Sequence, residues 1–134
     1  MSFVDDRDNI PDKYYLLRRV PPVHFVPDEN LGCIRPSSAA FENDKNGDPM
    51  SVRVQELLFE LGHDLESVLQ GHEGFALARL EAQFVRTLGQ IIALDEVPAE
   101  PAHGLVVGDK KKSCRRKMSK HATWAIEPST ESES

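Results

Sequence analysis

Apolar residues in this chain either alternate with polar residues or form short clusters, and prolines, glycines and asparagines separate these stretches. Both patterns are typical of β-strands: alternation indicates a half-buried strand, and a β-branched cluster indicates a buried one. The turn-forming residues between them mark the connections. The strands predicted in this way are 14–20, 23–26, 50–54 and 103–108.

Helical spacing replaces this pattern between positions 56 and 70. Apolar residues recur there at intervals of three and four, which places them along one face of a helix. Gly62 divides this stripe, and Asp64 is suited to cap a second helical segment that ends at Gln70. The apolar positions are Leu57, Leu58, Leu61, Leu65, Val68 and Leu69.

The segment 75–94 fits both periods. Its first residues alternate in polarity, whereas Ala82, Val85 and Leu88 have helical spacing. Glycines near both ends and the β-branched pair near the second end favour a strand, a short connection and another strand. One long helix is the alternative.

The strand at 103–108 precedes a helix predicted over 110–125, with Asp109 as its cap. Four small or apolar residues form its inward face: Cys114, Met118, Ala122 and Ala125. Together these elements predict an α+β fold, a small single-domain sheet with one or two packed helices and a basic C-terminal helix.

The chain has 134 residues, which is close to the commonest size of one domain. We expect residues 13–126 to form a single globular domain. Residues 1–12 and 127–134 are polar and acidic, and such a composition does not repay the entropy of ordering. Both segments are therefore predicted to be flexible tails.

No apolar run approaches the roughly 20 residues of a membrane-spanning helix, and the acidic N-terminus differs from the basic start of a secretory signal. Cys33 and Cys114 are far apart in a chain without an export signal, so we expect reduced thiols rather than a disulfide. These features predict a cytoplasmic protein without membrane contact.

Charge is concentrated near the C-terminus. The net charge is −6, yet the segment 110–120 holds seven basic residues and no acid, which leaves the rest of the chain at −13. Lysines at a helix start oppose the helix dipole, so we expect them to contact an anionic partner, an acidic protein surface or a nucleic acid. A solvated face, balanced by the domain's own acids, is the alternative. The residues concerned are Lys110, Lys111, Lys112, Arg115, Arg116, Lys117 and Lys120.

A second candidate contact is the run 35–41, with the sequence RPSSAAF. It places the Arg35 guanidinium beside the hydroxyls of Ser37 and Ser38 and several backbone amides, a combination that holds phosphate or carboxylate groups. The alternative is a capped turn, in which a serine caps a helical segment and Phe41 anchors it in the core.

His103 stands where a proline-rich loop enters a buried strand, and an imidazole there is suited to proton transfer. An enzyme acting on a nucleotide or RNA would need His103 in one pocket with Arg35, Ser37 and Ser38. The histidine and cysteine spacings match no metal motif, so we expect no metal ion and no cofactor.

The segments RPSSAAF and PAHGLVVGDKKKSCRRKMSKHATWA give the chain, over residues 14–126, a resemblance to uncharacterised groups of small bacterial proteins. This resemblance implies a stand-alone bacterial domain and assigns no catalytic role. Arg116 and His121 also resemble the Arg-x4-His element of a ribonuclease family built on helical bundles, over six residues only. The chain also resembles the ADP-ribosyltransferase pattern of an arginine, a serine-rich strand and a late glutamate. The candidates for these positions are Arg19, Ser37, Ser38 and Glu96 or Glu100.

The leading hypothesis is therefore a non-catalytic accessory or binding protein that contacts an anionic partner, with the basic helix and the run 35–41 as contact surfaces. The partner is expected to be a protein, such as a larger enzyme, and nucleic acid remains an option for residues 110–120. The small enzyme described above is the alternative. The oligomeric state is left open.

Overall fold

The computed structural model describes residues 3–28, 32–44, 47–95 and 102–128. Within these ranges the chain forms an α+β fold of eight strands and three α-helices, as the sequence predicts. None of these helices has the length and apolar character needed to cross a bilayer. The elements are β1 (Tyr15–Val20), β2 (Phe25–Asp28), β3 (Cys33–Pro36), β4 (Met50–Val54), α1 (Gln55–Glu60), β5 (Ala76–Glu81), α2 (Ala82–Thr87), β6 (Ile91–Leu94), β7 (His103–Val107), α3 (Lys112–His121) and β8 (Thr123–Ile126), with 3-10 turns at Pro22–His24, Ser38–Phe41 and Leu65–Leu69.

Six of the strands form one antiparallel sheet in the order β6-β7-β4-β1-β5-β8, and β2 and β3 form a separate antiparallel hairpin. β1 lies near the middle, where Leu17 is opposite Arg53 of β4 and Arg79 of β5. Because successive side chains on a strand point to opposite faces, these three residues share one face, and Leu16 lies on the other.

Each face of the sheet has its own apolar core. On the first face, which we call the α3 face, Leu16, Val20 and Val52 pack in one buried cluster with Phe41 and Met118. Helix α3 and the turn Ser38–Phe41 cover this cluster. On the second face, which we call the α1 face, the buried cluster consists of Leu17, Leu58, Val68, Leu77 and Ala102.

The interrupted helix predicted over 56–70 is confirmed. Helix α1 ends at Glu60, and Gly62 follows with a φ of 82° that favours glycine. Asp64 then caps the turn Leu65–Leu69, because its carboxylate accepts a hydrogen bond of 3.0 Å from the Ser67 amide. This turn brings Val68 into the core of the α1 face.

The segment 75–94 is strand, short helix and strand, so the preferred interpretation has the right order and the single long helix is wrong. β5 lies between β1 and β8 in the sheet, and its neighbours fix it as a strand. The connection is helix α2, whose Ala82 and Val85 are buried in the core of the α3 face. The alternating period and the helical period of this segment therefore belong to two adjacent elements, strand β5 and helix α2.

The structure differs from the expected flexible N-terminal tail over residues 3–12. Ile10 is 0% exposed, and the backbone of Asp6 donates a 2.8 Å hydrogen bond to the carbonyl of Ile92 on β6. The Asp5 carboxylate accepts from the Ile92 amide at 2.9 Å and from Arg86 at 3.0 Å. The acids of this segment thus pair with a buried arginine and cover the edge of β6, which composition cannot reveal.

The last helix is shorter than predicted. It begins at Lys112 after Lys111, without a side-chain cap from Asp109, and it ends at His121 because Ala122 is extended, with φ −61° and ψ 142°. Residues Thr123–Ile126 form β8 and pair with the edge of β5. Of the predicted inward stripe, Met118 is fully buried, whereas Ala125 packs on the opposite face of the sheet. The part of the predicted C-terminal tail from residue 129 lies outside the described residues.

Candidate anion-binding site

A concave pocket of about 330 Å³ lies between the hairpin β2–β3 and helix α3. It joins the two segments that the sequence indicated separately, the run 35–41 and the basic helix. Its lining contains three cationic side chains, three hydroxyls and one apolar residue: Arg35, Arg116, Lys120, Ser37, Ser38, Ser119 and Val26.

Ser119 joins the two sides of this pocket. Its buried hydroxyl donates a 2.6 Å hydrogen bond to the carbonyl of Pro36 and accepts a 2.9 Å bond from the Arg35 guanidinium. β3 positions Arg35 by pairing it with Val26 of β2. The guanidinium is therefore held against α3 by a residue on the inward side of that helix, a role that nothing in the sequence indicates beyond a serine beside Met118.

Ser37 lies in extended backbone at the start of the turn Ser38–Phe41, and its amide donates to the carbonyl of His24 at 2.8 Å. Its hydroxyl does not cap the turn. Among the described residues, the Ser37 Oγ is a buried atom without a hydrogen-bond partner. A buried hydroxyl normally finds a partner, so this one is suited to bind a ligand oxygen. The capped-turn interpretation holds for Phe41, which is fully buried, but not for the cap at Ser37.

Five exposed cations, which we call the cationic face, extend from this pocket along α3. Lys112, Arg116 and Lys120 follow one another at intervals of four along one side of the helix, which itself contains no acid. Like charges at this spacing destabilise a helix by roughly 0.2–0.5 kcal/mol per pair. Within the described part of the chain, none of the five forms a hydrogen bond or an ion pair through its side chain. The cationic face consists of Lys111, Lys112, Arg116, Lys117 and Lys120.

Lys110 does not belong to this surface, contrary to the sequence prediction. It is only 8% exposed, and its ammonium donates to Asn43 Oδ1 at 2.6 Å and to the carbonyls of Val106 and Gly108 at 2.8 and 3.1 Å. Burial lowers the pKa of Lys110 from 10.5 to about 8. The prediction is wrong because the loop around Asn43, distant in sequence, folds over this lysine.

Arg115 has a structural role as well. Its Nε donates to the carbonyl of Lys110 at 3.1 Å, and its Nη1 forms an ion pair with Glu42 at 3.0 Å. One acid of the domain therefore balances this predicted contact residue, as the alternative interpretation of the basic segment proposed. The same loop that buries Lys110 thus accounts for both residues.

His103 lies away from the pocket. Its position on β7 is opposite Arg53, which places it on the α1 face, whereas Ser37 and Ser38 lie on the α3 face. The His103 Nδ1 is 3.0 Å from the Asp95 carboxylate. The structure therefore does not bring Arg35, Ser37, Ser38 and His103 into one pocket, which removes the geometry on which the enzyme alternative depends.

The residues that carry the ribonuclease and ADP-ribosyltransferase resemblances do not form a common site either. His121 stacks on Phe84 with the ring centroids 3.7 Å apart and contacts Glu81 at 3.3 Å, whereas Arg116 lines the pocket. Arg19 lies on the α1 face, opposite Ser37 and Ser38. Glu96 and Glu100 lie outside the described residues.

Comparison with protein-family models, curated proteins and solved structures finds no match for this chain. Within the described ranges, no three His, Cys, Asp or Glu side chains lie in an arrangement suited to a metal ion. The functional argument therefore depends on the chemistry of the pocket and the cationic face.

Proposed function

We propose that this chain is a non-catalytic accessory protein that binds an anionic group of a partner through the pocket and the cationic face. The observation that carries the proposal is the convergence of Arg116 and Lys120 with the hydroxyls of Ser37 and Ser38 around one concavity. Cations and hydroxyls in a shared pocket are the donors that bind phosphate and carboxylate oxygens.

The unbalanced charge on α3 supports this function. Arg116 and Lys120 repel each other across one helical turn, and no described residue neutralises either one. An anion bound between them would relieve this repulsion and gain charge-assisted hydrogen bonds. The Ser37 hydroxyl offers one more donor in the same pocket.

Binding is favoured over catalysis by the kinds of side chain in the pocket. Its described lining consists of cations, hydroxyls and Val26, without an imidazole, thiol or carboxylate to transfer a proton near neutral pH. His103, the residue best suited to that task by sequence, lies on the other face.

A protein partner is favoured over a nucleic acid because the rest of the chain is strongly acidic and the net charge is −6. A nucleic-acid duplex needs an extended positive surface, whereas the cationic face is confined to Lys111 and one helix of ten residues. We propose a locally acidic surface on a larger protein, such as an enzyme, in a bacterial cytoplasm. The exposed free thiol of Cys33 supports a reducing compartment.

Affinity capture with matched charge reversals tests this proposal. Arg116→Glu with Lys120→Glu should abolish capture of the partner that the unmodified protein retains, and the interaction should weaken as salt is raised. Lys13→Glu is the control, since Lys13 is exposed and does not line the pocket. Capture that survives the double reversal would contradict the proposal, and capture that nuclease treatment abolishes would identify a nucleic acid instead.

A further inference from the structure

A polar cavity of about 320 Å³, which we call the Tyr15 cavity, lies at the end of the sheet where β1 begins and β5 ends. It is on the α1 face, because Tyr15 and Arg79 lie on the same side of the sheet as Leu17. Its volume is within the range of about 300–1,000 Å³ typical of small-molecule sites. The described lining consists of Tyr15, Gln55, Arg79, Glu81, His121 and Thr123.

Strand alternation places two opposite charges side by side in this cavity. Arg79 and Glu81 are two residues apart on β5, so their side chains leave the same face of the sheet roughly 7 Å apart. Tyr15 is opposite Glu81 on β1, and Thr123 is opposite Arg79 on β8. The Arg79 guanidinium and the Glu81 carboxylate form no ion pair with each other, since each contacts a different described residue. A cation and an anion therefore line one cavity without neutralising each other directly.

The Arg79 guanidinium is held by two neighbours. Its Nε donates a 2.8 Å hydrogen bond to Gln55 Oε1, and its central carbon lies 5.5 Å from the centre of the Tyr15 ring. Gln55 is only 9% exposed, at the start of α1, which fixes the position of the acceptor. The Nη1 and Nη2 donors of Arg79 form no hydrogen bond to any residue that the structure describes. Donors of this kind pair with the oxygens of a carboxylate.

The Glu81 carboxylate is positioned from the other side. His121 Nε2 lies 3.3 Å from Glu81 Oε1, and the His121 ring stacks on Phe84 with the centroids 3.7 Å apart. This contact uses one carboxylate oxygen, and Oε2 has no hydrogen-bond partner among the described residues. The Glu81 side chain is 49% exposed, so this second oxygen is accessible to a ligand. A carboxylate oxygen is a strong acceptor for an ammonium group.

We infer that the Tyr15 cavity binds a small polar amino acid in its zwitterionic form. The carboxylate of the amino acid pairs with Nη1 and Nη2 of Arg79, and its ammonium group pairs with Glu81. Both charged groups of an α-amino acid are attached to one carbon atom, so they fit between two side chains that leave the strand roughly 7 Å apart. A simple anion would be repelled by Glu81, and a simple cation by Arg79.

The remaining lining defines the rest of the ligand. No aliphatic side chain lines the described part of the cavity, whereas Tyr15 and Thr123 offer hydroxyls and Gln55 offers an amide group. These groups favour a hydrogen-bonding side chain on the amino acid over an apolar one. The Tyr15 cavity and the anion-binding pocket share no described lining residue, so this inference and the proposed function can fail independently.

NMR titration of the full-length, isotope-labelled protein with L-serine tests the inference. Saturable shifts are expected at the amides of Tyr15, Glu81 and Thr123. N-acetylserine lacks the ammonium charge and serine methyl ester lacks the carboxylate charge, so each should bind at least about tenfold more weakly than serine. Absence of saturable shifts with serine, or equal binding of either derivative, would overturn the inference. Equal binding of L-leucine would overturn the preference for a polar side chain.

Two exposed glutamates provide a matched pair of variants. Glu81 lines the cavity, whereas Glu60, at the end of α1, does not. Glu81→Gln removes the charge that pairs with the ammonium group, so it should weaken serine binding at least about fivefold without weakening the binding of N-acetylserine. Glu60→Gln should leave the affinity for serine unchanged. Equal effects of the two variants on serine binding, or an equal loss of serine and N-acetylserine binding in Glu81→Gln, would overturn the assignment of Glu81.

Discussion

Replacing Lys110 with methionine tests the claim that this lysine holds the start of α3 to the sheet. The variant keeps the length of the side chain but removes the ammonium, so Asn43 Oδ1 and the carbonyls of Val106 and Gly108 lose their donor. Three such bonds contribute roughly 1 kcal/mol each, about 3 kcal/mol in all. Removal of the buried charge offsets part of this loss. We expect a net destabilisation of about 2 kcal/mol.

Thermal and urea unfolding followed by circular dichroism would measure this change. For a domain of this size, about 2 kcal/mol corresponds to a fall in Tm of roughly 6–10 °C. Lys111→Met is the control, because Lys111 is exposed and makes no side-chain bond to a described residue, and its effect should stay within about 0.5 kcal/mol. Equal Tm values for the two variants would refute the structural role of Lys110.

The same lysine predicts a dependence of stability on pH. Burial lowers the pKa of Lys110 from 10.5 to about 8, so between these values the unfolded chain holds a proton that the folded chain has lost. The free energy of unfolding should therefore rise with pH across this window through Lys110. The difference in stability between the unmodified protein and Lys110→Met should widen from pH 8 to pH 10.5. A constant difference over that range would show that the ammonium is not buried.

Two further predictions concern the N-terminal segment. Arg86→Met should destabilise the fold by roughly 2 kcal/mol and expose the Ile92 amide to hydrogen exchange. The reason is that the Arg86 side chain is only 5% exposed and pairs with Asp5 and Asp12. Arg7→Met, at an exposed side chain, should have neither effect. Burial raises the pKa of Asp5, but the Ile92 amide and the Arg86 guanidinium outweigh this effect and lower it below 3.8. The contribution of Asp5 to stability is therefore present above pH 3.8 and lost as the pH falls through the lowered value. Unfolding measurements on Asp5→Asn should show a smaller acid-induced loss than the unmodified protein, and an identical acid profile would contradict the assignment.

The sequence predicts those elements whose signal is local. β1, β4 and β7 follow from short apolar patterns bounded by turn residues, and the division of the helix at Gly62 follows from one glycine and one capping residue, Asp64. β8 could not be predicted, because Ala122 and Ala125 continue the period of α3, and only the pairing of neighbouring residues with β5 makes this segment a strand.

The candidate site shows the same limit. Arg35, the serines and the basic helix could be singled out from residue type and spacing, because charge and hydroxyl content are local properties. Their meeting depends on the hydrogen bond between Arg35 and Ser119, 84 positions apart, which no spacing rule contains. The cavity on the α1 face could not be predicted for a related reason. Strand alternation places Arg79 and Glu81 on one face, but only the folded chain brings Gln55 and His121 beside them.

The central claim is that the pocket beside α3 binds anionic groups, and an NMR titration with a hexaglutamate peptide tests it most directly. The account predicts saturable, salt-sensitive shifts at the amides of Ser37, Ser38 and the second half of α3, abolished by Arg116→Glu with Lys120→Glu and retained in Lys13→Glu. Equal responses from the double variant and the control, or an absence of shifts around Ser37 and Ser38, would contradict the account.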